Sequence, residues 1–420
     1  MRSLLLNKYL WSLTLGHFSI DLYAGAMPVV LAALAGSMHL SFEQVGLVSA
    51  LYTLCSSVSQ PFFGYLSDRF GGRSFASIGL VWMSILQGAI GFVPDYQTLL
   101  VLAPLAGFGS AAFHPQGASS ANIASGERKT AGMAIFLLGG NGGFAVGPLI
   151  AGLIIGGMAL TGSLVLPGMG THGTAVIAIF GLLIAPVLFF ISRSSATAAS
   201  AQRLPHAGAR VSTNKAFSKF AIIALMLVAT LRAWEQSSVS LYVPPFFMSS
   251  AAMTLAEASR VSALILGSLA LGTFFGGFLS DHVDGRVVMV ISFLISAPAT
   301  IALFTAQGTN TYLAAVVLGI SLGSAWPPTL VLAQALFPRH AGIGSGLALG
   351  FVFAMGGLGN YVTGFLAERI GLLNSLLVLA ALPLLAALFT FALPSHKAVA
   401  RGAQIARAGA DVVSAEPVRS

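Results

Sequence analysis

Polar positions in this chain fall in short breaks between long apolar runs. Twelve such runs recur, near 10–35, 44–66, 75–93, 98–123, 131–158, 173–192, 219–247, 258–280, 287–306, 311–335, 341–367 and 371–393. A helix needs about 20 residues to cross a ~30 Å hydrocarbon core. The pattern therefore predicts an all-α membrane protein with twelve transmembrane helices. The first run follows Arg2 and Lys8, and Ala33-Leu34-Ala35 mimics a signal-peptide cleavage site. It is too long for the apolar core of a signal peptide, and His17 and Asp21 interrupt it, so it reads as the first span.

Composition agrees with lipid as the solvent. Hydrophobic residues make up 56% of the chain and Asp, Glu, Lys and Arg only 8%, against about 25% charged residues in a soluble domain. Glycine, at 48 of 420 residues, points to close helix packing through small side chains. The single cysteine, Cys55, excludes an intrachain disulfide and fits no metal spacing. The net charge of +8 comes from scattered residues with no dense cluster, which argues against nucleic acid as a partner.

Lys and Arg instead set orientation. With both termini in the cytoplasm, that side holds Arg2, Lys8, Arg69, Arg73, Arg128, Lys129, Arg193, Arg203, Arg210, Lys215, Lys219, Arg286, Arg339, Lys397, Arg401, Arg407 and Arg419, 17 of the 20 basic residues. Arg260 and Arg369 fall outside, and Arg232 lies within a span. Residues 193–218, rich in Ala, Ser and Arg, read as a cytoplasmic linker. Residues 395–420 read as a disordered cytoplasmic tail.

The chain repeats itself. Gly64-Tyr65-Leu66-Ser67-Asp68-Arg69 aligns with Gly277-Phe278-Leu279-Ser280-Asp281-His282, and Arg73 with Arg286. Gly109-Ser110 matches Gly323-Ser324, and Pro115 matches Pro328. The organisation is thus 1–192 and 219–394 as two pseudo-symmetric six-helix bundles. Duplicated halves joined by a basic linker suit alternating access, with the substrate site near the bilayer midplane.

Two motifs bear on mechanism. Gly64-x-Leu66-x-Asp68-Arg69-x-Gly71-x-Arg73 resembles the signature between helices 2 and 3 of major facilitator transporters. Its glycines permit a tight turn, and Asp68 at a helix end is placed to pair with arginines and close the cytoplasmic side in one state. Asp281 and Arg286 form the second copy, in which His282 replaces the first arginine. Gly143-x-x-x-Gly147-Pro148-x-x-Ala151-Gly152 in the fifth span resembles the antiporter signature of drug/proton exchangers, departing from it at Ala151. Its glycines offer a smooth helix face, and Pro148 removes a backbone donor.

Ionisable residues within spans are functional candidates. Asp21 follows Lys8 by 13 residues and Arg232 follows Lys219 by 13, so at ~1.5 Å per residue each lies about 20 Å into the membrane. Glu235 is one turn beyond Arg232. Three unpaired central charges would cost on the order of 8–10 kcal/mol, so they must face one another or a wet cavity. His17 shares a helical face with Asp21, and His114, before Pro115, is deep in the fourth span. An offset of 214 carries Asp21 onto Glu235 and Glu43 onto Glu257. The two carboxylates are therefore expected to face each other across the repeat axis with Arg232 between them. On this reading Asp21 takes up and releases a proton, and Arg232 is its counter-ion or a substrate ligand.

Gly16-His17-Phe18-Ser19-Ile20-Asp21-Leu22-Tyr23, with Gly25 and Pro28, resembles the first helix of fosmidomycin-resistance-type transporters. Ser59-Gln60-Pro61 through Arg69, Phe113-His114-Pro115-Gln116-Gly117, Gly139-Gly140-Asn141-Gly142-Gly143 to Pro148, and Leu231-Arg232 extend the likeness. The resemblance implies the major facilitator fold and a proton-driven exporter of small molecules, anionic ones among them, in the bacterial inner membrane. A proton-coupled symporter taking up a small organic anion or sugar is the alternative. A membrane enzyme or sensor fits less well. No H-E-x-x-H or P-loop motif and no metal-ligand spacing occurs in the sequence, and its G-x-S-x-G string, Gly319-Ile320-Ser321-Leu322-Gly323, lies inside an apolar span and not at a strand-to-helix elbow, so no catalytic residue, cofactor or metal is expected. The expected partners are the substrate, protons and lipid, and a monomer is the default for this architecture.

Overall fold

The computed structural model describes residues 4, 6–70, 74–159, 165–194, 219–336 and 341–395. The expected linker and tail, apart from their first residues, lie outside them. The first part of the chain forms α1 (Lys8–Met38), α2 (Phe42–Val58), α3 (Gln60–Phe70), α4 (Phe75–Ile90), α5 (Tyr96–Ala124), α6 (Lys129–Gly156) and α7 (Thr174–Ser194). The later part forms α8 (Lys219–Ser250), α9 (Leu255–His282), α10 (Gly285–Thr305), α11 (Thr309–Ser324), α12 (Trp326–Leu336), α13 (Ala341–Ile370), α14 (Leu372–Val378) and α15 (Ala381–Thr390).

Ten helical stretches of the described residues are each long and apolar enough to cross a membrane. The second expected span is divided at Ser59 into α2 and α3, and the third is the 16-residue α4. These supply the remaining two crossings. The break at Ser59 has a local cause. The ring of Pro61 has no N–H to continue the ladder, and the Ser59 hydroxyl turns back to the Cys55 carbonyl.

Helix starts follow capping chemistry. Asn7 accepts from the Leu10 amide at 3.0 Å. Ser41 and Gln44 form a reciprocal capping box, and Asp95 accepts from the Thr98 amide at 2.8 Å. One element departs from an all-helical expectation. Gly157–Ala159 pairs antiparallel with Val165–Pro167, so the fifth span ends at Gly156. Gly157 has φ +78° there, a conformation that favours glycine.

The helices turn apolar faces outward. On α7 the exposed side chains include Ile179, Phe180, Leu183 and Phe190, and on α9 Leu271, Phe274, Phe275 and Phe278. That is the reverse of a soluble helix and suits lipid contact. Interhelix contacts instead use small residues. Gly139, Gly143 and Gly147 on α6 meet the backbone carbonyls of Thr14, Phe18 and Leu22 on α1 where a Cβ would sit. Both series advance by four residues, so the two helices lie backbone against backbone for two turns.

Two compact units are resolved. One comprises Met1–Leu204, Gln236–Gly267 and Phe353–Leu377, the other Pro205–Glu235, Ser268–Val352 and Val378–Ser420. The helices α8, α9 and α13 each contribute residues to both.

Candidate functional site

In the first unit three ionisable side chains converge. Asp21 Oδ2 is 3.2 Å from His17 Nε2, and Asp21 Oδ1 is 3.3 Å from His114 Nε2. One helical turn separates His17 from Asp21 on α1, while His114 comes from α5. Each ring is fixed from behind: His17 Nδ1 is 2.9 Å from the Phe136 carbonyl, and His114 Nδ1 is 2.9 Å from the Ser110 carbonyl. Carbonyls only accept, so a hydrogen on Nδ1 satisfies both contacts while Nε2 faces the carboxylate; the Ser110 hydroxyl also lies 3.1 Å from His114 Nδ1. The His17 ring also stacks on Phe136, centroids 4.2 Å apart.

His17 is nearly buried, at 7% side-chain exposure, whereas Asp21 at 22% and His114 at 27% are open on one side. Gly140 walls the other side, since a Cβ there would overlap the His17 ring and lie 2.6 Å from Asp21 Oδ2. The ligand atoms of His17, Asp21 and His114 all lie within 4.8 Å of one another, close enough to share protons or a metal ion. Sequence spacing could not reveal this group, because His114 is far from the other two along the chain. Gly140 was legible only as one of a run of glycines.

The second unit holds Arg232 and Glu235. The Arg232 guanidinium lies 4.4 Å from the Trp326 ring centroid and donates to the Leu322 carbonyl at 3.4 Å. Glu235 is fully buried, and its Oε1 accepts from Ser296 at 2.7 Å and from Thr300 at 2.9 Å. Its side chain therefore faces α10.

The repeat explains this placement. In the first unit Tyr23 on α1 donates to Ser84 on α4 at 3.0 Å. An offset of 212 carries Tyr23 onto Glu235 and Ser84 onto Ser296. This hydrogen bond follows the offset of 212, not the offset of 214 that pairs Glu235 with Asp21. Glu235 thus occupies the place of an internal hydrogen-bonding tyrosine. Replacing Ser296 with Ala together with Thr300 with Val leaves Oε1 bare. Each loss is expected to cost about 1–3 kcal/mol, read as a lowered Tm of the solubilised protein, and Glu235→Gln is expected to be milder.

Among the gating-motif residues, Gly64 has Pro115 as its neighbour across α3 and α5. Arg69 is exposed and donates to the Tyr65 hydroxyl at 3.3 Å. The Asp68 side chain and Arg73 lie outside the described residues. In the second copy Asp281 is exposed. Arg286 pairs with Asp284 at 3.3 Å and donates to the Leu393 carbonyl at 3.1 Å. Of the antiporter-like residues, Gly143 and Gly147 on α6 pack against α1, and Gly152 packs against Ser259 of α9. Pro148 is inside α6.

A further polar cluster in the first unit has no counterpart in the sequence reading. The Tyr242 hydroxyl lies 2.7 Å from the Asn360 carbonyl and 3.1 Å from that of Phe42. Asn360 donates to Ser49 at 2.9 Å and accepts from Ser238 at 3.2 Å. Gly46 and Gly364 leave room for the Tyr242 hydroxyl. Nearby, Tyr361 donates to Glu43 at 3.0 Å, and the Phe42 amide donates to Glu368 at 2.6 Å. This latch joins the start of α2 to α8 and α13. Its only sequence signal is the recurrence of Ser, Asn and Thr inside apolar spans.

Comparison with known proteins places this architecture. The sequence model of the Major Facilitator Superfamily matches residues 13–266 and 225–416. The chain is 31% identical over 402 residues to the Fosmidomycin resistance protein of Escherichia coli (strain K12), covering 92% of this chain and 93% of that protein. It is likewise 31% identical to the MFS-type transporter YfnC of Bacillus subtilis (strain 168), covering 91% of each. The crystal structure of a bacterial homologue of the human lysosomal transporter Spinster superposes with a TM-score of 0.78, covering 96% of this chain and 98% of that one. At 19% identity that likeness is one of fold.

Proposed function

Given that the chain belongs to the major facilitator superfamily, and so is a multi-pass membrane transporter and not an enzyme, we propose that it is a proton-coupled antiporter. It exports small organic molecules, anionic ones among them, across the bacterial inner membrane by alternating access. The observation that carries this reading is the carboxylate of Asp21 held between two imidazoles inside the membrane. Such a group binds a proton or a ligand but not both with equal ease, because each changes the charge that the other meets. Asp21 and His114 are open on one side, the route by which protons and substrate reach the cluster.

Arg232 is the second proposed contact. Its planar fork suits a carboxylate or phosphonate, and Trp326 beneath it keeps the cation paired between visits. In this scheme both termini and residues 193–218 are cytoplasmic, Asp68, Arg69 and Arg73 belong to the gating motif on that side, and Asp281 and Arg286 belong to its second copy. Glycine contacts of the Gly143–Gly152 segment keep the fifth span closely packed and limit leakage. The latch of Tyr242 and Asn360 then closes the external face. Export is supported by the Gly143–Gly152 signature and by a relative named for resistance to a drug.

The test uses purified protein in liposomes with fosmidomycin as the probe and an imposed pH gradient. An antiporter drives the drug against the direction of proton flow; a symporter drives it the same way. Drug movement indifferent to the gradient would remove proton coupling.

The latch gives a separate expectation. Tyr242→Phe deletes a hydroxyl bond worth about 0.5–1.5 kcal/mol, which shifts the closed-to-open ratio by roughly two- to tenfold. In a Cys55→Ser background, Leu47→Cys should then react correspondingly faster with an impermeant maleimide added outside.

A further inference from the structure

We infer that His17, Asp21 and His114 form a binding site for a divalent transition-metal ion of the zinc class. Nδ1 of each histidine lies 2.9 Å from a backbone carbonyl, and a neutral ring that donates there presents the lone pair of Nε2. These two lone pairs and a carboxylate point at one another across 3.2 and 3.3 Å. Three acceptors so placed repel unless a cation stands among them. A proton on each ring meets that need, and so does one metal ion.

The geometry suits a metal in detail. Zinc holds imidazole nitrogen and carboxylate oxygen at about 2.0–2.2 Å, so adjacent ligand atoms on a tetrahedral ion lie roughly 3.3 Å apart. Both nitrogen–oxygen separations match that value, each to a different oxygen of Asp21, so the carboxylate would hold the ion through both oxygens. A ligating histidine usually donates its other nitrogen to a carbonyl or carboxylate, which fixes the tautomer and aims the ring. Here both rings have that support, and His17 is further clamped on Phe136. Two imidazoles and one carboxylate favour zinc, nickel or cobalt over magnesium or calcium, which prefer oxygen ligands throughout. The exposed sides of Asp21 and His114 give the ion a way in and leave room for a water ligand.

The metal would occupy the atoms that the proposed coupling proton uses, and metal and proton compete for such ligands. Zinc is therefore a built-in blocker of transport. Binding itself is measured without transport, so its outcome is separate from that of proton coupling.

The experiment uses full-length protein purified in detergent through a tag free of histidine, titrated calorimetrically with Zn2+. One saturable site per chain is expected, with no corresponding signal for Mg2+. His114→Ala and Asp21→Asn should each weaken it at least tenfold, while His172→Ala, which removes a histidine stacked on Phe92, should leave it intact. Absence of saturable binding, or binding indifferent to both His114→Ala and Asp21→Asn, overturns the assignment. Should those variants fail to fold, Co2+ added to the wild-type protein decides. A visible d–d band displaced by Zn2+ supports the site, and its absence refutes it.

Discussion

Uphill transport by the Asp21→Asn variant is expected to fall roughly a hundredfold, while exchange of labelled for unlabelled substrate persists. With both rings protonated, the carboxylate makes two charge-assisted contacts, to His17 and His114. Contacts of that kind contribute about 1.5–3 kcal/mol each, and two at the lower figure amount to about two powers of ten. Asparagine keeps the shape and can donate from its amide to one Nε2, so the helices stay packed. What it cannot do is alternate between charged and neutral. Counterflow in liposomes, with and without a pH gradient, separates the two abilities. If gradient-driven transport matches that of the wild type, Asp21 is not the coupling group.

The second large effect concerns folding. Gly143→Val should remove most correctly folded protein from the membrane, because any Cβ there overlaps the Phe18 carbonyl on α1. A backbone carbonyl cannot swing aside as a side chain can, so α1 and α6 must separate along their length. Overpacking of this kind typically costs 1–3 kcal/mol and sometimes more, and the shared seam with Gly139 and Gly147 puts this position near or above the top of that range. Gly142→Ala is the matched control, since a Cβ there meets only the Phe18 ring at 3.7 Å. Thermal unfolding in detergent should show a large Tm loss for the first and little change for the second. Equal losses would mean that the seam does not discriminate between these faces.

The same contrast bears on what could be read from the chain. Glycines 143 and 147 were recognisable as a motif, but Gly139 and Gly140 stood out only as part of a glycine-rich run. Gly139 extends the seam, whereas Gly140 points one face over, at His17 and Asp21. A rotation of one residue about α6 separates packing from site. Likewise, His17 and Asp21 announce themselves by spacing on one helix. Their meeting with His114 depends on how α5 rests on α1, and no local pattern encodes that.

Glu235 is the clearest case of a residue whose type can be read from the chain and whose hydrogen-bond partners cannot. A carboxylate one turn from Arg232 invites a functional reading, yet its hydrogen bonds run to Ser296 and Thr300. The repeat was visible in sequence, but the local offset of 212 at Glu235 emerges only from the pairing of Tyr23 with Ser84 and of Glu235 with Ser296. Two residues of slip turn a helix by about 200°, enough to send a side chain to the opposite face.

By itself, then, the sequence determined that this is a helical membrane protein, roughly where its spans fall, that it is duplicated, and which residue types within the spans are costly enough to matter. Those properties are sums along a segment: burial of about 20 apolar residues, or the charge cost of one, does not depend on neighbours. Tertiary structure alone decided which groups touch. Contact depends on each helix's rotation and depth, which are fixed by backbone-to-backbone seams and by caps and breaks such as Ser59, far from the side chains whose chemistry they set.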